Sequence, residues 1–236
     1  MSQTISSFLS EHLSDKKAIG ALNKKWLSYG ALRELKKDVH KALRKNGIAN
    51  QDRVAIVLPN GPAMATAFVT IAQCTTTAPL NPNYREDEFS FYLDDLKAKA
   101  LVVNDGYDGP AAAAAERLDI KIIRLIESDQ VAGLFSLVGD GDKDFIEDEE
   151  VCENDVALIL HTSGTTSRPK IVPLLQSNIA ASASNIAQSL SLSSADRCLN
   201  VMPLFHIHGL IAAVSASLSV GASIWCSSGF NALSFF

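Results

Sequence analysis

The sequence contains few cysteines, and their spacing excludes two classes of small protein. Four cysteines are spread along 236 residues, and no two of them form a C-x-x-C pair. Zinc ribbons and disulfide-stabilised scaffolds require closely spaced cysteines. We therefore expect reduced, buried thiols in a chain long enough for one large domain or two small ones.

An excess of positive charge is also missing. The chain has 21 Lys and Arg against 26 Asp and Glu, a formal net charge of −5. Nucleic-acid binding needs clustered cations that neutralise phosphates. This composition therefore argues against a nucleic-acid partner, whereas a small anion remains compatible with suitable local charges.

The sequence shows neither a leader nor a membrane anchor. The first residues have no continuous apolar segment or cleavage motif, and the chain has no N-x-[ST] sequon. The segment from Cys198 to Phe236 has no Asp, Glu, Lys or Arg, and Gly209 to Cys226 is long enough to span a bilayer. This segment contains serines and glycines and lacks a basic anchor on its C-terminal side. We therefore predict a buried helix followed by a buried strand, in an intracellular, soluble, cytoplasmic protein.

Segments with helical and strand-like patterns alternate along most of the chain. Apolar periodicity and turn residues predict helices near residues 30–45, 62–74, 85–99 and 111–118, and strands near 54–58, 100–103, 120–126 and 156–160. Repeated β-α units with short connections predict an α/β fold with a largely parallel sheet covered by helices.

An acidic stretch at residues 139–155 interrupts this alternation, and we interpret it as a solvated surface connection. Three of its aspartates have the spacing that begins a calcium-binding EF-hand loop. However, Phe145 stands where that loop needs glycine, and Val151 where it needs a bidentate glutamate. The pattern therefore disfavours calcium.

The most informative segment is HTSGTTSRPK at residues 161–170, directly after the predicted strand at 156–160. Backbone N–H groups and hydroxyls can converge on phosphate oxygens here, and Gly164 permits close approach. Lys170 and Arg168 would add charge-assisted donors. A phosphate-binding loop is one interpretation, and an ordinary surface loop rich in Ser, Thr and Gly is the other.

Two common nucleotide motifs do not fit this segment. Pro169 occupies the position of the second glycine of a Walker A loop, and Ile171 replaces its final hydroxyl residue. The chain also has no G-x-G-x-x-G dinucleotide fingerprint.

Four motifs in order resemble the adenylate-forming enzymes, the acyl-CoA synthetases and their relatives. They are Leu27-Ser28-Tyr29, Ala78-Pro79-Leu80-Asn81-Pro82 with Tyr84, Thr162 to Lys170, and Met202-Pro203-Leu204-Phe205-His206-Ile207-His208-Gly209-Leu210. TSGTTSRPK together with MPLFHIHGL resembles the oxalate-CoA ligase branch, which His161 also fits. Ser167 stands where the family more often has glycine, and Ile171 and Leu175-Gln176 are further departures close to the loop.

The resemblance implies a two-step ligation of a small carboxylic acid to CoA. The carboxylate would attack the α-phosphate of ATP to give acyl-AMP and pyrophosphate, and the CoA thiolate would then displace AMP, with Mg²⁺ sharing the phosphate charge. Positioning and charge neutralisation should dominate the first step. The residues implied in phosphate binding are Thr162, Ser163, Gly164, Thr165, Thr166, Ser167, Arg168 and Lys170.

The resemblance further implies that His206 lies near the acyl-adenylate. A neutral imidazole there could donate a hydrogen bond or shape the pocket, and a packed histidine before the following helix is the alternative. His208 would share a face with His206 on a strand but diverge by about 200° on a helix. No third ligand occurs at a recognised zinc spacing, so we predict no metal site formed by the protein.

Family members are more than twice this long, so the resemblance implies that residues 1–236 form a partial N-terminal domain without the C-terminal domain. The parent protein would be an acid-thiol ligase, and the chain alone would be inactive or nearly so. The alternative is a non-catalytic nucleotide-binding or interaction remnant. A peroxisomal targeting tripeptide would lie beyond this segment, and neither the oligomeric state nor the carboxylic acid follows from the sequence.

Overall fold

The computed structural model describes residues 3–143, 151–162 and 169–233. Its helices are α1 (Ile5–Ser10), α2 (Tyr29–Lys45), α3 (Pro62–Ile71), α4 (Glu86–Leu96), α5 (Pro110–Arg117), α6 (Gln176–Ser189), a π-helix (His208–Ser215) and α7 (Ala216–Ser219). Its strands are β1 (Lys17–Gly20), β2 (Leu27–Ser28), β3 (Arg53–Val57), β4 (Thr76–Pro79), β5 (Ala100–Asn104), β6 (Lys121–Glu127), β7 (Phe135–Val138), β8 (Val156–Thr162), β9 (Lys170–Leu175), β10 (Arg197–Asn200) and β11 (Ser223–Cys226).

The larger sheet has seven strands in the order β7-β6-β5-β3-β4-β8-β9. The five inner strands are parallel, whereas β7 and β9 are antiparallel edges. The inner strands β3 and β5 are apolar and buried on both faces, as expected for a parallel sheet covered by helices. The predicted α/β class is confirmed.

Two helical layers cover this sheet. One apolar cluster joins α2 and α3 to one face, with Leu43 and Phe68 fully buried. A second cluster joins α4 and α5 to the other face, where Phe89, Leu93 and Ala111 are fully buried. The chain therefore winds on both sides of the sheet, and the carboxyl ends of its parallel strands share one edge.

The C-terminal segment joins the N-terminal strands β1 and β2 in a second sheet of four strands, in the order β10-β11-β1-β2. The π-helix and α7 bury Leu210, Val214 and Leu218, and β11 then lies between β10 and β1. The predicted buried helix followed by a buried strand is therefore confirmed. In the part of the chain that the structure describes, no helix is long and apolar enough to cross a membrane.

The predicted connection at residues 139–155 lies partly outside the described residues, which omit 144–150 and therefore Phe145. At its start, the N–H of Gly141 donates to Asn46 Oδ1 over 3.0 Å, so this end is fixed to the end of α2. Val151 at its other end is buried.

The expectation of buried thiols needs one correction. Cys74 and Cys226 are buried and Cys198 is half-buried, but Cys152 is exposed because it lies in the turn before β8. All four cysteines are reduced, and the Cys74 thiol donates to the carbonyl of Thr70 over 3.3 Å. Burial raises the pKa of Cys226 to about 12, so this thiol remains protonated and unreactive at neutral pH.

Candidate active site

The two described ends of the motif at residues 162–170 face each other across an antiparallel pair of strands. Thr162 ends β8 and Lys170 begins β9, and the two are register partners. Both residues are exposed. The six candidates between them, Ser163, Gly164, Thr165, Thr166, Ser167 and Arg168, lie outside the described residues.

This pair lies at the edge of the sheet where the parallel strands end. β8 runs parallel to β4, with Thr77 paired to Leu158, and β4 runs parallel to β3. Thr162 is therefore on the same edge as the residues that follow β3 and β4. Lys170 places a cation there because β9 returns antiparallel from that edge.

A cavity of about 420 Å³ lies beside the carboxyl ends of β3 and β4. Its lining is apolar apart from amides, one hydroxyl and backbone groups: Leu58, Asn60, Met64, Leu80, Pro82, Asn83, Val201, Met202, Pro203, Leu204, Phe205, Ser228, Gly229 and Phe230. None of these residues is charged. The cavity joins the β3 and β4 ends to the Met202–Phe205 part of the fourth motif.

Asn60 holds these elements together. Its Oδ1 accepts a hydrogen bond from the backbone N–H of Leu204 over 2.9 Å. Its Nδ2 donates to the backbone carbonyl of Ser227 over 3.2 Å. The turn after β3 is thereby fixed to the loop after β10 and to the end of β11, so one amide connects the two sheets.

His206 lies beside the cavity rather than in its lining. Its side chain is exposed, and its ring centroid is 4.4 Å from that of Phe205, which does line the cavity. The His206 carbonyl accepts from the N–H of Leu210, which fixes this residue at the start of the helical segment. Because it is exposed beside the cavity, the imidazole is accessible to a bound molecule.

The second histidine of the motif begins a helix rather than a strand. His208 is the first residue of the π-helix and is exposed. Among the described residues, no group of three His, Cys, Asp or Glu side chains is arranged to hold a metal ion.

Close packing explains why the motif has glycine at residue 209. Gly209 is buried, and a Cβ atom built on it would lie 2.5 Å from the carbonyl oxygen of Pro203. Any larger residue would therefore push the π-helix away from the loop that lines the cavity. This glycine supports the site by close packing rather than by contact with a ligand.

His161 is the most enclosed of the polar residues at this edge. Its side chain is 6% exposed, and its Nε2 lies 3.1 Å from Asp95 Oδ2 on α4. Its ring meets the ring of Tyr92 edge to face, with centroids 4.6 Å apart. Burial lowers the pKa of His161, and the nearby Asp95 carboxylate opposes that effect without cancelling it.

Aromatic rings continue from His161 towards the residues after β4. Tyr92 stacks on Tyr84 with centroids 4.8 Å apart, and Tyr84 meets Phe89 edge to face. Burial also raises the pKa of Tyr84, so its hydroxyl stays protonated at neutral pH. The motif residue Tyr84 is therefore part of a ring cluster that packs beneath the end of β8.

The sequence motif includes Thr162 and Lys170, but the residues that pack against its ends and beside the cavity carry no recognisable sequence signal. Asp95 and Tyr92 are three residues apart on α4, which places them on one helix face, but nothing in their spacing identifies His161 as their partner. Asn60 lies in a Pro-Asn-Gly-Pro turn, which signals a change of direction and says nothing of a contact with Leu204.

A family model matches most of the chain. The model of the AMP-binding enzyme family matches residues 9–236. The oxalate–CoA ligase of Arabidopsis thaliana is 36% identical over 230 residues, which cover 94% of this chain and 45% of that protein. The oxalate–CoA ligase of Saccharomyces cerevisiae is 36% identical over 208 residues, which cover 78% of this chain and 38% of that protein.

Among solved structures, apo MatB from Rhodopseudomonas palustris is similar in fold. Its TM-score is 0.82 at 23% identity, and the match covers 98% of this chain and 46% of that chain. The ATP-bound structure of the same protein gives a TM-score of 0.79, also at 23% identity. The chain therefore spans less than half the length of each of these relatives.

Proposed function

Because the chain belongs to the AMP-binding enzyme family, we propose that it forms the N-terminal part of an ATP-dependent acid–CoA ligase. In this proposal a carboxylate displaces pyrophosphate from ATP to form acyl-AMP, and the thiolate of CoA then displaces AMP. We assign residues 1–236 to part of one AMP-binding domain, the remainder of which lies in the parent protein.

The position of Lys170 supports this proposal most directly. It is an exposed cation opposite Thr162, at the edge where the parallel strands end. Ligands of open α/β sheets bind outside the carboxyl ends of the strands. A lysine and a hydroxyl at this edge suit the β- and γ-phosphates of ATP, because a fixed cation stabilises charge that moves onto pyrophosphate. The residues between them in sequence would add further donors.

The neighbouring cavity suits the acyl side of the reaction. We propose that the acid enters between the β3 and β4 ends and the Met202–Phe205 loop, with His206 at the mouth contacting the acyl-adenylate. The apolar lining fits a carbon chain or ring.

The relatives make oxalate the leading acid to test. Its second carboxylate needs a cationic or hydrogen-bonding partner, and no charged side chain lines the described cavity. A cationic partner would therefore have to come from outside this lining, whereas Asn83 and Ser228 offer hydrogen-bonding groups within it.

We expect Mg²⁺ to enter with the ATP phosphates, because the described residues offer no group of metal ligands. Among the described residues, the charge of Lys170 and the hydroxyl of Thr162 would then help to hold the phosphates.

The decisive experiment is carboxylate-dependent ATP–pyrophosphate exchange by the complete parent protein. Oxalate should be compared with acetate, a medium-chain fatty acid and a cinnamate. Exchange with oxalate alone supports the ligase and identifies its substrate, and exchange with another acid supports the ligase and rejects oxalate. ATP binding without exchange for any acid, including an extended panel, favours the non-catalytic remnant.

Two lysine variants make this test specific to the site. Lys170→Ala should lower exchange by about tenfold or more, because a phosphate-neutralising charge is lost. Lys121→Ala is the matched control, since Lys121 is also an exposed lysine that begins a strand but lies at the opposite, amino edge of the sheet. Equal losses in both variants would argue against the assigned phosphate site.

A further inference from the structure

The end of β8 has little support from the sheet itself. In the parallel register that joins Thr77 to Leu158, the last residue of β4 lies opposite Leu160, so His161 and Thr162 extend beyond β4. These residues pair with β9, which is an edge strand. An extended end that pairs with an edge strand alone is expected to open readily.

His161 supplies a contact from the helical layer to this end of the strand. Alternation along the strand directs His161 and Ile159 to the same face, and Ile159 belongs to the apolar cluster beneath α4. On α4, Asp95 and Tyr92 meet the imidazole by a hydrogen bond of 3.1 Å and by edge-to-face ring packing. The contact lies one residue before Thr162.

The hydrogen bond between His161 and Asp95 orients the imidazole ring. A neutral imidazole with its proton on Nε2 donates to the Asp95 carboxylate, and hydrogen bonds to a charged acceptor are shorter and stronger than neutral ones. Imidazole and carboxylate fix both the direction of the ring and the position of its backbone. A purely apolar side chain at residue 161 would pack against Tyr92 but would lack this directional bond.

We propose that His161 and Asp95 are positioning residues that hold the end of β8 against α4 and thereby set Thr162 opposite Lys170 for phosphate binding. This inference rests on the proposed function for its catalytic consequence. Neither residue contacts the phosphates in this proposal. Their effect passes through the backbone of β8 and its pairing with β9.

The test compares variants that separate ring packing from hydrogen bonding. His161→Phe keeps a ring against Tyr92 but removes the donor, whereas His161→Gln places an amide N–H near the former Nε2 and can still reach Asp95. Asp95→Ala removes the acceptor. The control is Asp94→Asn, because Asp94 is an exposed aspartate next to Asp95 on the same helix.

In the complete parent protein, His161→Phe should raise KM for ATP by about tenfold, the effect expected when one hydrogen bond to a charged group is lost. The kcat for pyrophosphate exchange should change much less, since the reacting groups are unaltered. His161→Gln should restore KM to within about twofold. The double variant His161→Phe/Asp95→Ala should be no worse than either single variant, because both remove the same interaction.

Amide hydrogen exchange provides a readout that does not depend on turnover. His161→Phe should accelerate exchange in peptides covering residues 159–162 and 170–172, and Asp94→Asn should not. Unchanged exchange there, or equal effects of the Phe and Gln variants on KM, overturns the positioning role even if the protein is an active ligase. Failure of the unaltered protein to bind ATP overturns the proposed function separately, and faster hydrogen exchange then supports only the structural half of the inference.

Discussion

Single polar side chains connect the elements around the carboxyl edge of the central sheet. Asn60 joins the turn after β3 to the backbone of Leu204 and Ser227, and His161 joins β8 to Asp95. These bonds lie close to the carboxyl ends of β3 and β8. Removing one partner leaves the other groups unpaired, which costs more than the net contribution of an ordinary hydrogen bond.

Asn60 gives the first prediction. Asn60→Ala should lower the free energy of unfolding by about 1–3 kcal/mol, because the Leu204 N–H and the Ser227 carbonyl lose their partner. Asn60→Asp should be intermediate, since a carboxylate still accepts from Leu204 but cannot donate to Ser227. Urea unfolding at neutral pH measures both changes.

A second asparagine serves as the control for that experiment. Asn185 is exposed on α6, so Asn185→Ala should leave stability unchanged or slightly improved through helix propensity. If Asn60→Ala were as stable as the unaltered protein, the amide would not be what joins the two sheets.

His161 gives a pH-dependent prediction. Burial lowers its pKa in the folded state below the ordinary value of 6.5, so the unfolded chain binds more protons in the interval between the two values. Stability therefore rises with pH there: the contribution is complete above about pH 6.5 and is lost as pH falls through the folded-state pKa.

The measurement is the unfolding free energy of the unaltered chain and of His161→Gln between about pH 5 and pH 8. The glutamine variant has no imidazole to protonate, so its stability should fall less on acidification. Parallel curves for the two proteins would show that His161 does not contribute to the acid sensitivity.

At the level of elements, the π-helix depends on a close approach to the cavity loop. Gly209 lies against the Pro203 carbonyl with no room for a Cβ atom. Farther along, the Ser215 hydroxyl donates to the carbonyl of Leu210 over 2.9 Å, within the wider turns of this helix. Irregular helices of this kind frequently occur at functional sites.

Gly209→Ala is therefore expected to destabilise the protein by about 1–3 kcal/mol through overpacking. The sign is diagnostic, because a Gly-to-Ala change inside an unobstructed helix is normally stabilising by up to about 1 kcal/mol. Thermal unfolding of the variant decides between these signs. A higher melting temperature would mean that the loop and helix separate without cost.

The long elements could be predicted from the sequence because their patterns are local. Helix α2 has apolar residues at helical spacing, and β3 and β5 are continuous apolar runs. The short strands β1 and β10 have no comparable pattern, since they are strands only through pairing in the sheet built around β11. Similarly, the motif at residues 162–170 gives Thr162 and Lys170 as phosphate-binding candidates, a role that stays a prediction. The contact between His161 and Asp95 has no such signal, because it depends on tertiary packing between α4 and β8.

At the scale of the whole molecule, the elements of both sheets meet at one cavity, and a groove lies on the surface along α6. A groove of about 770 Å³ runs along α6 beside α1 and the end of α7. The chain covers 45% of its Arabidopsis relative. The described residues contribute one cation opposite a hydroxyl and one uncharged cavity, which is less than a complete ligation reaction requires.

We therefore predict that the 236-residue chain alone catalyses no carboxylate-dependent ATP–pyrophosphate exchange above its own Lys170→Ala variant. The physical reason is that the role proposed for Lys170 is to neutralise charge at the phosphate end, but adenylation also requires the α-phosphate and the carboxylate to be held in line. The assay should use MgATP with oxalate and with the cinnamate, at protein concentrations high enough to detect a very slow reaction. Exchange that exceeds the Lys170→Ala level would mean that this chain alone holds both the α-phosphate and the carboxylate in line. The partial-domain assignment would then be wrong. Exchange at the level of that variant, from a chain with a cooperative unfolding transition, would show that the cation site can fold without the groups that orient the acid.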